Sequence, residues 1–210
     1  MNSLDSRVIG FGNCFCKKFG QAGKVSYMLV TAAGIDMPFD KERSLNIHVK
    51  KAHHCNKQSQ QHTVTVSGKG NQFTVDPLNL EIEEGDSVLW HAANANVAGF
   101  AIRGNYNKKE FDSSCIEEEA VYTHAFGTPG KYKWVDAYGS KVQGVINVCS
   151  PDKKGKKTQR EWLKKMSEGV LICINGDEVS PKKVDLITGQ TVFWAVNKAP
   201  GISITDSRLI

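Results

Sequence analysis

Long apolar runs are missing from this 210-residue chain. None approaches the roughly 20 residues that a membrane-crossing helix needs, so membrane insertion is not expected. The opening stretch, MNSLDSRVIGFGNCFC, has no basic segment ahead of an apolar core and does not read as a signal peptide. The expectation is a cytoplasmic chain. No C-x-x-C pair is present among the six cysteines, Cys14, Cys16, Cys55, Cys115, Cys149 and Cys173. They are expected to be mostly free thiols, many of them buried. Also missing are G-x-S-x-G, H-E-x-x-H, a P-loop and a G-x-G-x-x-G followed by an acid, so the chain is read as a non-enzyme. His-x-His pairs, the raw material of a trinuclear copper site, are absent too. The acidic run Glu117–Glu118–Glu119 reads as a solvated loop. A net charge of +5 is too weak to argue for nucleic acid as a partner.

What the chain does have is self-similarity. VDPLNLEIEEGDSVLWHAAN, from Val75, matches VSPKKVDLITGQTVFWAVNK, from Val179, at one ungapped offset of 104. Val75, Pro77, Gly85, Val88 and Trp90 align with Val179, Pro181, Gly189, Val192 and Trp194. After a two-residue gap, AGFAI (98–102) matches PGISI (200–204). A second pair of segments also matches: FGQAGKVSY (19–27) with FGTPGKYKW (126–134), and LNIHV (45–49) with GVINV (144–148). Such periodicity marks repeated structural units.

The segments carry strand signals. HTVTVSG alternates, LNLEIEEGDSVLWHA is two apolar runs around Glu84–Gly85–Asp86, and AVYTHAF, KYKWV and GVINV follow. Strands with one apolar face must bury that face on another sheet, so an all-β sandwich is expected, with Trp90 and Trp134 in its core. The basic stretch 150–168 is expected to hold a short helix from Thr158 to Ser167 with Trp162, Leu163 and Met166 on one side, docking on a sandwich. The other linker, 51–61, contains His53, His54 and Cys55, a weak alternative for a soft divalent metal.

FTVDPLNLEIEEGDSVLW resembles the front half of a cupredoxin, and YTHAFGTPGKYKWV…GVINV is similar to the back half, which holds the copper loop. The resemblance implies Greek-key β-sandwiches of the plastocyanin and phytocyanin type. In that family copper lies between two histidines, a cysteine and usually a methionine. The resemblance places Ala98 where the first histidine is expected, Asp136 at the cysteine, Gly139 near the second histidine and Val142 near the methionine. Leu29 and Pro200 stand at the corresponding places of the flanking halves. A type-1 site needs the thiolate, and Asp136 does not replace it. No copper or other cofactor is therefore expected. His91 and His124 are read as satisfied or surface histidines.

These matches divide the chain into a back half (1–50), a linker (51–61), a complete cupredoxin-like domain (62–149), a basic linker (150–168) and a front half (169–210). The expected second sandwich is assembled from the N-terminal and C-terminal halves, a circular permutation. The expected function is a non-catalytic scaffold or protein-interaction module within a longer repeat array, with a protein or neighbouring repeats as partners. Its candidate recognition loop comprises Ala98, Asp136, Tyr138, Gly139 and Val142. The alternative is a copper-binding or electron-transfer protein that uses ligands foreign to the family.

Overall fold

The computed structural model describes residues 3–32, 37–52, 58–69, 72–150 and 156–210. The strands fall into four groups along the chain. The first is β1 (Asn13–Lys18), β2 (Gly23–Thr31) and β3 (Leu45–Lys50). The second is β4 (Gln61–Lys69), β5 (Gln72–Asp76), β6 (Asn79–Glu83), β7 (Ser87–Ala92), β8 (Phe100–Tyr106) and β9 (Lys109–Asp112). The third is β10 (Ala120–Ala125), β11 (Gly130–Val135) and β12 (Gln143–Cys149). Helix α1 (Lys156–Met166) precedes the fourth, β13 (Val170–Asn175), β14 (Glu178–Ser180), β15 (Lys183–Ile187), β16 (Thr191–Lys198) and β17 (Thr205–Asp206).

The all-β expectation holds, but the halves combine differently from the expected grouping. Strands β2 and β3 join β6, β8 and β9 in a five-stranded sheet ordered β6-β3-β2-β8-β9. Strands β11 and β12 join β15 and β17 in a four-stranded sheet ordered β15-β12-β11-β17. The first back half therefore completes the front strands of 62–112, and the back strands of 120–149 complete the C-terminal front half. The segment 62–149 is not one closed unit, and the N- and C-terminal halves do not build the second one. Each module is contiguous in sequence, with its back half preceding its front half.

One eight-stranded sheet, β14-β13-β16-β10-β1-β7-β4-β5, spans both modules. At its centre β1 and β10 pair antiparallel, with Phe15 opposite Tyr122. These two residues are themselves equivalent, 107 positions apart, so a local pseudo-twofold axis passes between them. The flanking registers agree: Phe15 faces Trp90 and Tyr122 faces Trp194. The row ends on Val64 and Ile172. All six side chains are buried. Alternation explains the row, since successive strand residues point to opposite faces and Val192, Trp194 and Val196 all fall inward. Full burial of each such side chain contributes about 1.5–3 kcal/mol.

The smaller sheets pack beneath this face through equivalent aromatic contacts. Tyr27 of β2 meets Trp90 edge-on at 5.6 Å, and Trp134 of β11 meets Trp194 at 6.0 Å. Trp90 and Trp134 are core residues, as expected. The turns repeat as well. Gly85 and Gly189 adopt positive φ (88° and 95°), which a side-chain-bearing residue adopts only with strain. Their amides donate to Phe19 O and Phe126 O.

Two short straps tie the modules together. Residues 4–9 (LDSRVI) and 111–116 (FDSSCI) share D-S-x-x-I at an offset of 107. The Ser113 amide donates to Ile102 O at 2.9 Å, and the Ile102 amide donates to Ser113 Oγ at 2.8 Å. Ser6 makes the same two bonds with Ile204, at 2.9 and 2.8 Å. Three residues further on, Ile116 pairs with Ile202 and Ile9 with Phe100. Each strap thus leaves one module and enters the other, in opposite senses.

Helix α1 docks on the second module, as expected for a linker helix. The Trp162 indole N–H donates to Thr188 O at 3.2 Å, and Gln190 Nε2 donates to Lys165 O at 2.8 Å. Leu163 departs from the expected apolar side and is 59% exposed. The five described cysteines are free thiols, and they are half-buried or exposed rather than buried.

Candidate functional site

The expected recognition surface is split by this pairing. Ala98 precedes β8, whose partner β2 carries Leu29 opposite Ile102. The loop Asp136–Val142 instead meets the C-terminal segment. The Asp136 carboxylate accepts hydrogen bonds from the amides of Tyr138 (3.0 Å), Ser140 (3.1 Å) and Ser203 (2.8 Å), and from Ser203 Oγ (3.2 Å). Burial pushes its pKa up, but the bonds from Ser203, Tyr138 and Ser140 outweigh that and leave it below the ordinary carboxylate value. Gly139 closes the turn at φ 91°, its amide donating to Asp136 O. Val142 is in the core. Tyr138 is 53% exposed, although its hydroxyl donates to Ser114 O at 3.0 Å. The loop is thus a self-satisfied turn presenting one aromatic ring.

The histidines separate into two cases. His91 sits on the outer face of β7, with Nε2 3.1 Å from Thr65 Oγ1 and Nδ1 3.1 Å from Ala92 O. His124 is neither satisfied nor at the surface: it is 3% exposed and its Nδ1 has no hydrogen-bond partner. Burial lowers its pKa to about 4, so it is neutral at physiological pH. His53, His54 and Cys55 lie outside the described residues. Among the described residues no group of three or more His, Cys, Asp or Glu side chains is placed to hold a metal ion. No described helix is long and apolar enough to cross a membrane.

Sequence reasoning missed a pair of clefts at the module junction. The first, about 580 Å³, lies where β1 ends near Lys17 and is bounded by Gly20, Phe111, Glu118, Glu119 and Ala199. The second, about 880 Å³, lies at the other end of the β1–β10 ladder. It is bounded by His124, Gly127, Leu4, Phe11, Gly12 and Ala95. Position by position these are the same places under the pseudo-twofold: Lys17 and His124, Gly20 and Gly127, Phe111 and Leu4, Glu118 and Phe11, Glu119 and Gly12, Ala199 and Ala95. Their chemistry has diverged. In the first, Lys17 Nζ donates to Glu118 O at 3.3 Å and stands 5.8 Å from the centre of the Phe111 ring. Burial lowers the Lys17 pKa against the pull of Glu119, Glu117 and Glu118. The acidic run is exposed, as expected of a solvated loop, and it also borders this cleft. The second cleft has aromatic walls: His124 meets Phe126 at 4.6 Å, Phe126 meets Tyr132 at 5.0 Å, and Arg208 covers Tyr132 at 5.6 Å.

Comparison of the chain with protein-family models, with curated proteins and with solved structures finds no match.

Proposed function

We propose that the chain is a fused pair of permuted, cupredoxin-like sandwiches that acts as a non-catalytic protein-binding scaffold without a type-1 copper site. The observation that carries this reading is the bonding of Asp136. At the place where a copper thiolate is expected, its carboxylate is occupied by four hydrogen-bond donors from within the protein. Three of these bonds fall on Oδ1 and one on Oδ2, which commits the carboxylate to fixing the loop, and neighbouring Val142 is committed to the core. The same loop leaves the Tyr138 ring half-exposed on a rigid frame, and amphipathic aromatics of this kind anchor protein interfaces. On this reading the recognised partner is a protein that packs on the Tyr138 ring.

Metal analysis of the purified 210-residue chain tests the copper part. Less than about a tenth of an equivalent of copper and no intense band near roughly 600 nm are expected. Near-stoichiometric copper with that band overturns the reading. For recognition, a bound protein recovered with the chain should be lost with Tyr138→Ala while the fold is unchanged. Retention at wild-type level removes Tyr138 from the binding surface.

A further inference from the structure

The apolar cleft beside His124 is not a by-product of the fold. Its twin occupies the same backbone framework yet has Glu118 where this cleft has Phe11, Glu119 where it has Gly12, and Asn107 where it has Leu209. Charged and polar groups are therefore compatible with these positions, and folding does not demand apolar ones. Phe11 and Leu209 are nonetheless 49% and 46% exposed, so large apolar surfaces face solvent around a concave space. The volume of about 880 Å³ lies within the range of small-molecule pockets. In its wall, His124 carries a buried ring nitrogen with no protein partner, an arrangement that is unfavourable when left unmatched.

We infer that this cleft is a binding site for a neutral, ring-bearing small molecule that carries a hydroxyl group. The ring matches the Phe11 and Tyr132 walls, where edge-on and offset aromatic contacts are favourable, and the buried Phe126 backs Tyr132. The hydroxyl matches His124, because a hydroxyl both donates and accepts and so serves whichever tautomer the imidazole adopts. The Arg208 guanidinium at the rim is already paired with Asp206 at 2.5 Å and so is not held open for an anionic group. This site goes beyond the scaffold reading and does not depend on it, because no residue of the Asp136–Val142 loop borders the cleft.

The test uses the isotope-labelled full chain, titrated with 4-ethylphenol and, as the hydroxyl-free counterpart, ethylbenzene. Saturable shifts are expected at the Gly12, Gly127 and Leu209 amides and at the His124 ring nitrogens. 4-Ethylphenol should bind about tenfold more tightly than ethylbenzene, the value of one good hydrogen bond. Phe11→Glu transplants the twin's side chain and should weaken both probes about tenfold or more with the amide spectrum otherwise intact. His124→Phe should abolish the preference for the phenol. Should His124→Phe fail to fold, the two probes and Phe11→Glu still decide. Absence of saturable shifts at millimolar probe overturns the proposal. So do equal affinities for the two probes in the unmodified chain, or binding indifferent to Phe11→Glu.

Discussion

Acidification should unload the fold through His124 before the carboxylates titrate. Its ordinary pKa of 6.5 falls to about 4 in the folded chain because burial disfavours the imidazolium. The unfolded chain then binds more protons than the native one between those values, so stability is greatest above about 6.5 and declines as pH falls toward about 4. The full difference is about 3 kcal/mol, taking about 1.4 kcal/mol per pH unit, and roughly 2 kcal/mol of it is lost by about pH 5. The carboxyls of Asp136 and Asp206, held below their ordinary 3.8, release their stabilisation only at more acid pH. Thermal melts at about pH 7.5 and 5 should therefore differ by roughly 4–8 °C for a chain of this size. His124→Phe or His124→Gln should flatten the difference. Equal losses in the parent and both variants, or an imidazole that titrates near 6.5 in the native protein, would refute the assignment.

Three further perturbations follow from single contacts. Asp136→Ala strands the Tyr138, Ser140 and Ser203 amides and the Ser203 hydroxyl, and should cost about 3 kcal/mol or more, measured by urea unfolding. Gly144→Ala should cost about 1–3 kcal/mol by overpacking, since its Cβ would lie 2.7 Å from Trp134 Nε1 and 2.9 Å from Lys182 O; an unchanged unfolding midpoint would show that the sheet yields there. Ser6→Ala and Ser113→Ala break matching strap bonds of 2.8 Å each. They should cost a similar 1–2 kcal/mol or so apiece and add in the double variant, and a large inequality would mean that the two straps are not equivalent in solution.

The strand content, the core tryptophans and the repeat were legible in the sequence because they rest on local patterns. Alternation around Trp90 and Trp134 and the turn at Gly85 require only neighbouring residues to be read. The glycine-bearing loop between KYKWV and GVINV was legible too. Its use was not, because the four donors to Asp136 include two from Ser203, 67 residues away. The clefts were invisible for the same reason: each draws on both modules, and no periodicity marks a junction. One signal was present and unused. The back halves repeat at an offset of 107 and the front halves at 104, which is one period, so the repeating unit is back-then-front from the first strand onward.

Why the halves combine as they do is not a matter of core complementarity. Phe15–Trp90 and Tyr122–Trp194 are nearly the same contact, at 6.0 Å and 31° against 5.7 Å and 35°, so either front half suits either back half. Loop closure does not decide it either. The observed pairs are separated by 75 and 72 residues, and the alternative Tyr122–Trp90 and Phe15–Trp194 pairs by 32 and 179. Closure entropy grows only with the logarithm of length, so the two arrangements differ by less than about 0.1 kcal/mol. The straps are where the observed arrangement is distinctive. Ser113 is bonded to Ile102 of the first module, and Ile116, three residues later, is paired with Ile202 of the second. Both side chains are buried, so four residues carry the chain from the edge of the first module to contacts with the second. The D-S-x-x-I straps, unlike the core aromatic pairs, thus make contacts particular to the observed arrangement, and the twin clefts lie beside them.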